Sequence, residues 1–276
     1  MKLLTDVGLL FRRHLIQLLR SPVWLVVGFS TPILYLALFT PLLKHLVGAA
    51  GLPAGNVLDL FLPGILALLA FASGSGPGFS TIFELRSGVT ERLRVTPASR
   101  FAILAGPILA AMLLMFGFDV VVVAIGTAFG FHLHAAGLLL LCVVLALLMA
   151  TMAAFSIAAA LTTKDINGFA AIINGLNLPV LLLGGVLLPI SLGPDWMQVL
   201  AHVNPLYYAV TSARVLASGT VGAPAVWQAF AVLVPLCAVV LGWATSVVRT
   251  WKAHSQNPKI TTSNRPTTMM RELRFI

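Results

Sequence analysis

Six stretches, Pro22–Leu43, Val57–Phe79, Phe101–Gly130, Ala135–Leu161, Gly168–Leu188 and Val226–Val248, run on with almost no charge. About 20 apolar residues in a helix rise about 30 Å, the thickness of a bilayer's hydrocarbon core. Where water is absent every backbone N–H and C=O must be bonded internally, and a helix does this within one segment. The chain is 59% hydrophobic and 9% charged, against roughly 25% charged in an ordinary soluble domain, so it cannot clothe a soluble globule with polar surface. The expected fold is an all-α polytopic membrane protein with six transmembrane helices.

Cation placement gives the orientation. With both termini in the cytoplasm, 15 of the 17 Lys and Arg residues fall inside and only Lys44 and Arg214 outside, a strong positive-inside bias. The net charge of +9 is then met by anionic headgroups, and no nucleic-acid partner is required. The expected location is the plasma membrane of a bacterium, multi-pass. Before the first span, Lys2, Asp6, Arg13, Gln17 and Arg20 share one helical face and Leu4, Val7, Phe11, Leu15, Leu18 and Leu19 the other. Residues 1–21 are expected to form an amphipathic helix lying in the cytoplasmic interface rather than a cleaved signal, because charges recur to Arg20 and no small-residue cleavage site follows. Residues 22–249 form the six-helix domain. Residues 250–276 read as a polar, basic cytoplasmic tail.

Several kinds of chemistry lack their residues. Cys142 and Cys237 fall inside predicted spans and provide no disulfide framework. His132 and His134 form an H-x-H without a third ligand nearby, so no metal site is expected. The chain has no G-x-x-x-x-G-K-[ST], H-E-x-x-H or G-x-S-x-G, so neither ATP hydrolysis nor any other catalysis is expected of it. A secondary transporter would show internal repeats and several intramembrane charges, whereas Asp119 is nearly alone; a membrane-embedded enzyme would need clustered acids or histidines in recognisable spacing.

Four regions could carry a mechanism. Pro189–Ala225 is too long for a hairpin loop and too apolar for a hydrated one. Its pieces, Pro194–His202 and a second helix opened by Asn204 and Pro205, are too short to cross and suit short re-entrant or interfacial helices, with Trp196, Tyr207 and Tyr208 fit for the headgroup belt. Asp119 in the third span should face the bundle interior or a wet cavity, as a pathway residue or a structural hydrogen-bond partner. The tract 73–78, Ser-Gly-Ser-Gly-Pro-Gly, weakens the second span and reads as a hinge or as a frayed helix end. Directly after it, Ile82–Arg100 gathers six of the 25 charged residues, Glu84, Arg86, Glu91, Arg92, Arg94 and Arg100, into a hydrated segment fit to contact a second protein.

The pattern Glu84-x-x-x-Gly88-x-x-Glu91-x-Leu93-x-x-Thr96-Pro97 resembles the signature between the second and third spans of ABC-2-type permeases, especially the branch holding drug-export permeases of the daunorubicin-resistance kind. The run Asn204-Pro205-Leu206-Tyr207-Tyr208 and the six-span plan agree, up to about Trp251. Arg86 stands where the family often has an acid, and Val89 where it often has Thr. The resemblance implies the membrane subunit of an exporter for a hydrophobic or amphipathic drug or lipid, with a polysaccharide or lipid-linked glycan exporter as the alternative. It implies a second permease chain, identical or related, and separate ATPase subunits that bind ATP and Mg, this chain holding no cofactor itself. Glu84, Gly88, Glu91, Arg92, Leu93, Arg94, Thr96 and Pro97 would form the contact with that ATPase, with the N-terminal helix beside it.

Overall fold

A computed structural model describes residues 2–22, 26–30, 32–35, 37–38, 41, 57–88, 100–131, 135–186, 190 and 193–255. Among these the regular structure is helical: α1 Lys2–Leu19, α2 Val57–Ser73, α3 Gly76–Arg86, α4 Arg100–Ala128, α5 Ala135–Thr163, α6 Ile166–Leu183, α7 Asp195–Ala201, α8 Pro205–Ala217 and α9 Pro224–Ser255. Five segments, Phe61–Arg86, Phe101–Ala128, Gly137–Thr163, Ile166–Leu183 and Pro224–Thr250, are long and apolar enough to cross a bilayer. The first predicted span, Pro22–Leu43, lies partly outside the described residues. A short apolar helix, Val26–Tyr35, runs through it, with Phe29 edge-on against Phe118 of α4 at 4.5 Å. The loop with His132 and His134 and the tail from 256 onward also lie outside.

Helix α5 is the hub: α2, α3, α8 and α9 all pack on it. Its core-facing residues include Leu145, Leu148, Met149, Ala153, Ile157 and Ala160, all nearly or fully inaccessible. The alanines let neighbouring helices come close, which matters where lipid supplies no hydrophobic drive and packing must do the holding.

The segment from Phe61 to Arg86 is broken near its middle into α2 and α3. In an unbroken helix the Gly78 N–H would bond the Gly74 carbonyl; here it turns to Ser75 O at 3.1 Å. The fully buried Ser156 of α5 fills the gap, its hydroxyl donating to Gly74 O at 2.8 Å and accepting from Gly78 N–H at 3.1 Å. A side chain inserted into the backbone ladder is a recognised cause of kinking. Gly78 must lack a side chain: a Cβ there would meet Ser156 O at 2.7 Å. The tract 73–78 is therefore not a frayed end, because helix resumes through Arg86, and the joint is closely packed.

Helix α1 packs along α4, with Leu10 against Gly106, where a Cβ would lie 2.7 Å from the Leu10 Cβ. Among its described side chains the most buried are Leu10 and His14, at one edge of the apolar face read from periodicity. That face is rotated because His14 finds polar partners inside the bundle. Leu9, Ile16 and Leu19 stay exposed.

Candidate functional site: the charged end of the bundle

The last turn of α3 lies where α1, α3 and the α5–α6 corner meet. Glu84 is largely buried, and its Oε1 accepts from Arg13 Nη2 at 2.7 Å and lies 3.3 Å from His14 Nε2. His14 Nδ1 is 2.8 Å from the Leu10 carbonyl. A carboxylate facing two nitrogen groups on one neighbouring helix fixes that helix in rotation and height. Two residues on, Arg86 Nη2 reaches Asp165 Oδ1 at 3.2 Å, with both side chains half exposed. Gly88 adopts φ +70, just past the Ser87 C-cap of α3. This left-handed position ends a helix and is open to glycine at little cost, which gives the motif glycine a physical reason. The chain then enters 89–99, so Glu91, Arg92, Leu93, Arg94, Thr96 and Pro97 lie outside the described residues.

The α5–α6 corner is two residues long. Lys164 takes φ 54 and Asp165 is extended, its Oδ2 accepting from Gly168 N–H at 2.9 Å as the N-cap of α6. The Gly168 N–H, then the neighbouring amides and Arg86, hold the Asp165 carboxyl below the ordinary aspartate range. Asp165 escaped sequence reading as a functional residue, although its place between an apolar run and Gly168 is an N-cap signal. His14 and Ser156 had no such signal, because their partners are distant in sequence.

At the opposite end α8 is embedded among α2, α5 and α9, with Leu206, Ala209, Val210, Ala213 and Leu216 fully buried. Asn204 caps it, its Oδ1 accepting from Leu206 N–H at 3.0 Å while its amide donates to Val180 O at 2.7 Å. Pro205 follows in the first turn. Arg214 donates to Gly185 O at 2.7 Å and Val186 O at 3.1 Å, a cation satisfying carbonyls just past the C-terminus of α6. Tyr208 donates to His202 O at 3.0 Å, and His202, Tyr207 and Tyr208 form a ring cluster. Trp196 on α7 is exposed.

Asp119 lies within α4, 6% exposed, and neither carboxyl oxygen has a hydrogen-bond partner among the described residues. The described residues thus offer it burial without a hydrogen bond, and both of its expected roles, pathway residue and structural partner, stay open. No three His, Cys, Asp or Glu side chains gather as a metal site among the described residues. Level with the α2–α3 break, Phe71, Ala72, Ser75, Phe79 and Met152 line a small groove with Ile173, Asn174 and Asn177 of α6, and both Asn residues are exposed.

Long apolar helices around an alanine-rich hub, with charge collected at one end, define a polytopic membrane protein. The model of the ABC-2 type transporter family matches residues 5–217. The chain belongs to that family, whose members are membrane subunits of transporters and work with ABC ATPase subunits. It is 33% identical over 215 residues to a protein of Cyanophora paradoxa described as transport permease ycf38, covering 77% of this chain and 74% of the relative. It is 26% identical over 206 residues to the daunorubicin resistance ABC transporter permease protein DrrB1 of Streptomyces coeruleorubidus, covering 73% and 71%. To the protein of the same ycf38 description from Porphyra purpurea it is 25% identical over 234 residues, covering 79% and 76%.

Proposed function

We propose that this chain is the permease subunit of an ABC exporter in the plasma membrane, with both termini cytoplasmic, six spans, and α1 lying in the cytoplasmic interface. Two such chains, identical or related, form the pathway, and separate ATPase subunits supply ATP and Mg chemistry. The cargo is a hydrophobic or amphipathic small molecule, a drug or a lipid. The division into 1–21, 22–249 and 250–276 belongs to the same reading.

The observation that carries the reading is the construction at the end of α3. Glu84 ties α3 to α1, Arg86 ties it to α6, and Gly88 stops the helix so that the chain leaves at once into the charged segment 89–99. A segment anchored on two sides can deliver force rather than flex. The cargo class rests on the drug-export branch that the charged segment resembles; the groove between the α2–α3 break and α6 is too small for a drug-sized molecule. The daunorubicin-resistance relative agrees with such cargo.

The test is co-purification with the ATPase subunit and phosphate release. The isolated chain is expected to be inert and the complex active. Glu91→Lys, or the double change Arg92→Glu with Arg94→Glu, is expected to weaken assembly by about 2–5 kcal/mol, as unpaired charges do at a partly desolvated interface. ATP turnover by the purified chain alone, or unchanged assembly in both variants, would refute the reading.

A further inference from the structure

Helix α6 is lightly held: few of its residues are buried, Phe169 and Ile173 being the ones that are. Its lower half touches α3 twice. Phe169 stands edge-on to Phe79 at 4.8 Å, and seven residues further along α3 Arg86 reaches Asp165 at 3.2 Å. The ion pair lies beyond the ring contact, at the end of α3 that enters the charged segment.

The corner holding Asp165 has no slack. Helix α5 ends at Thr163, Lys164 turns left-handed with its N–H still bonded to Ala160 O at 3.0 Å, and Asp165 caps the next helix. One Asp165 oxygen holds the first turn of α6 and the other holds Arg86. The last turn of α3 and the first turn of α6 thus share one carboxylate. Farther along α6 stand the exposed Asn174 and Asn177, lining the groove.

We infer that the Arg86–Asp165 pair is a strut that carries movement of the last turn of α3 into α6, making both positioning residues for transport. The strut also gives Arg86 a role of its own, at a position where an acid would repel Asp165. This inference rests on the permease reading.

The strut is tested in the complex of the full chain with its ATPase, reconstituted in lipid nanodiscs and carrying Asn177→Cys on α6. The rate at which a small methanethiosulfonate modifies that cysteine is compared with and without ATP, site-resolved mass spectrometry separating it from Cys142 and Cys237. ATP is expected to change the rate. Arg86→Gln, and separately Asp165→Ser, is expected to shrink that change about two- to five-fold, the equilibrium shift that an exposed ion pair can supply. Serine keeps the N-cap but cannot reach Arg86, so a loss in Asp165→Ser reports the strut and not the cap. The double variant is expected to match either single variant, because both remove one interaction. An ATP effect that survives both single variants at full size, or additive losses in the double variant, overturns the strut and leaves the permease reading standing. An assembled complex in which ATP leaves the parent cysteine's rate unchanged overturns the strut as well. Failure of the chain to assemble with any ATPase overturns the permease reading on which it rests.

Discussion

Single side chains decide where this bundle is rigid. Ser156 is one hydroxyl, yet it satisfies a carbonyl and an amide hydrogen released by the break between α2 and α3. Ser156→Ala leaves Gly74 O unpartnered in an apolar interior and is expected to destabilise the protein by about 1–3 kcal/mol, measured by thermal unfolding in detergent. Asp119 is the opposite case, a buried carboxyl without a protein partner among the described residues. Asp119→Leu removes that burden and is expected to raise stability by about 1–3 kcal/mol in the same assay. If transport falls while stability rises, the carboxyl serves the cargo cycle; if both fall, the site has a partner that the isolated chain conceals.

At the scale of elements, helix ends carry the argument, and Asp165 makes one of them pH-sensitive. Its folded-state pKa lies below the ordinary value of about 3.9, so its contribution is fully present above that ordinary value. It is lost only as pH falls through the lowered one. The start of α6 is expected to keep its hydrogen-exchange protection across the neutral range and to lose it in acid below the ordinary aspartate range. Asp165→Asn, which still caps, is expected to flatten that acid response. The elements themselves were largely legible. Unbroken apolar runs located α4, α5, α6 and α9, and the Asn204-Pro205 pair marked the start of α8 to the residue. The site was legible only where it is local. Asn204 could be read as a cap and Gly88 through the family motif, while the Asp165 cap went unread; the Arg13–Glu84, Arg86–Asp165 and Ser156–Gly78 pairs join residues more than 70 positions apart, and no periodicity encodes a partner at that distance. Arg214 shows the same limit: it counted as an outer cation by sequence, whereas its guanidinium is occupied by the carbonyls past α6.

For the molecule as a whole, charge asymmetry predicts topology. A cysteine placed at Ser87 or Ser255 is expected to resist impermeant thiol reagents in intact cells, and one at Ser191 to react. Labelling at Ser87 from outside would invert the bundle and move the Arg13–Glu84 and Arg86–Asp165 pairs to the wrong side of the membrane for an ATPase.

The clasp at the α2–α3 break also bears on biogenesis. Ser156 is translated 78 residues after Gly78. While the ribosome is still making α5, the broken segment would sit in the translocon or the lipid with a backbone carbonyl unserved, a state that hydrocarbon penalises. The early segment is thus an unstable client until its later neighbour arrives, and a nascent chain truncated before α5 should be held by insertion chaperones and cleared by membrane proteases rather than released as a folded pair of spans.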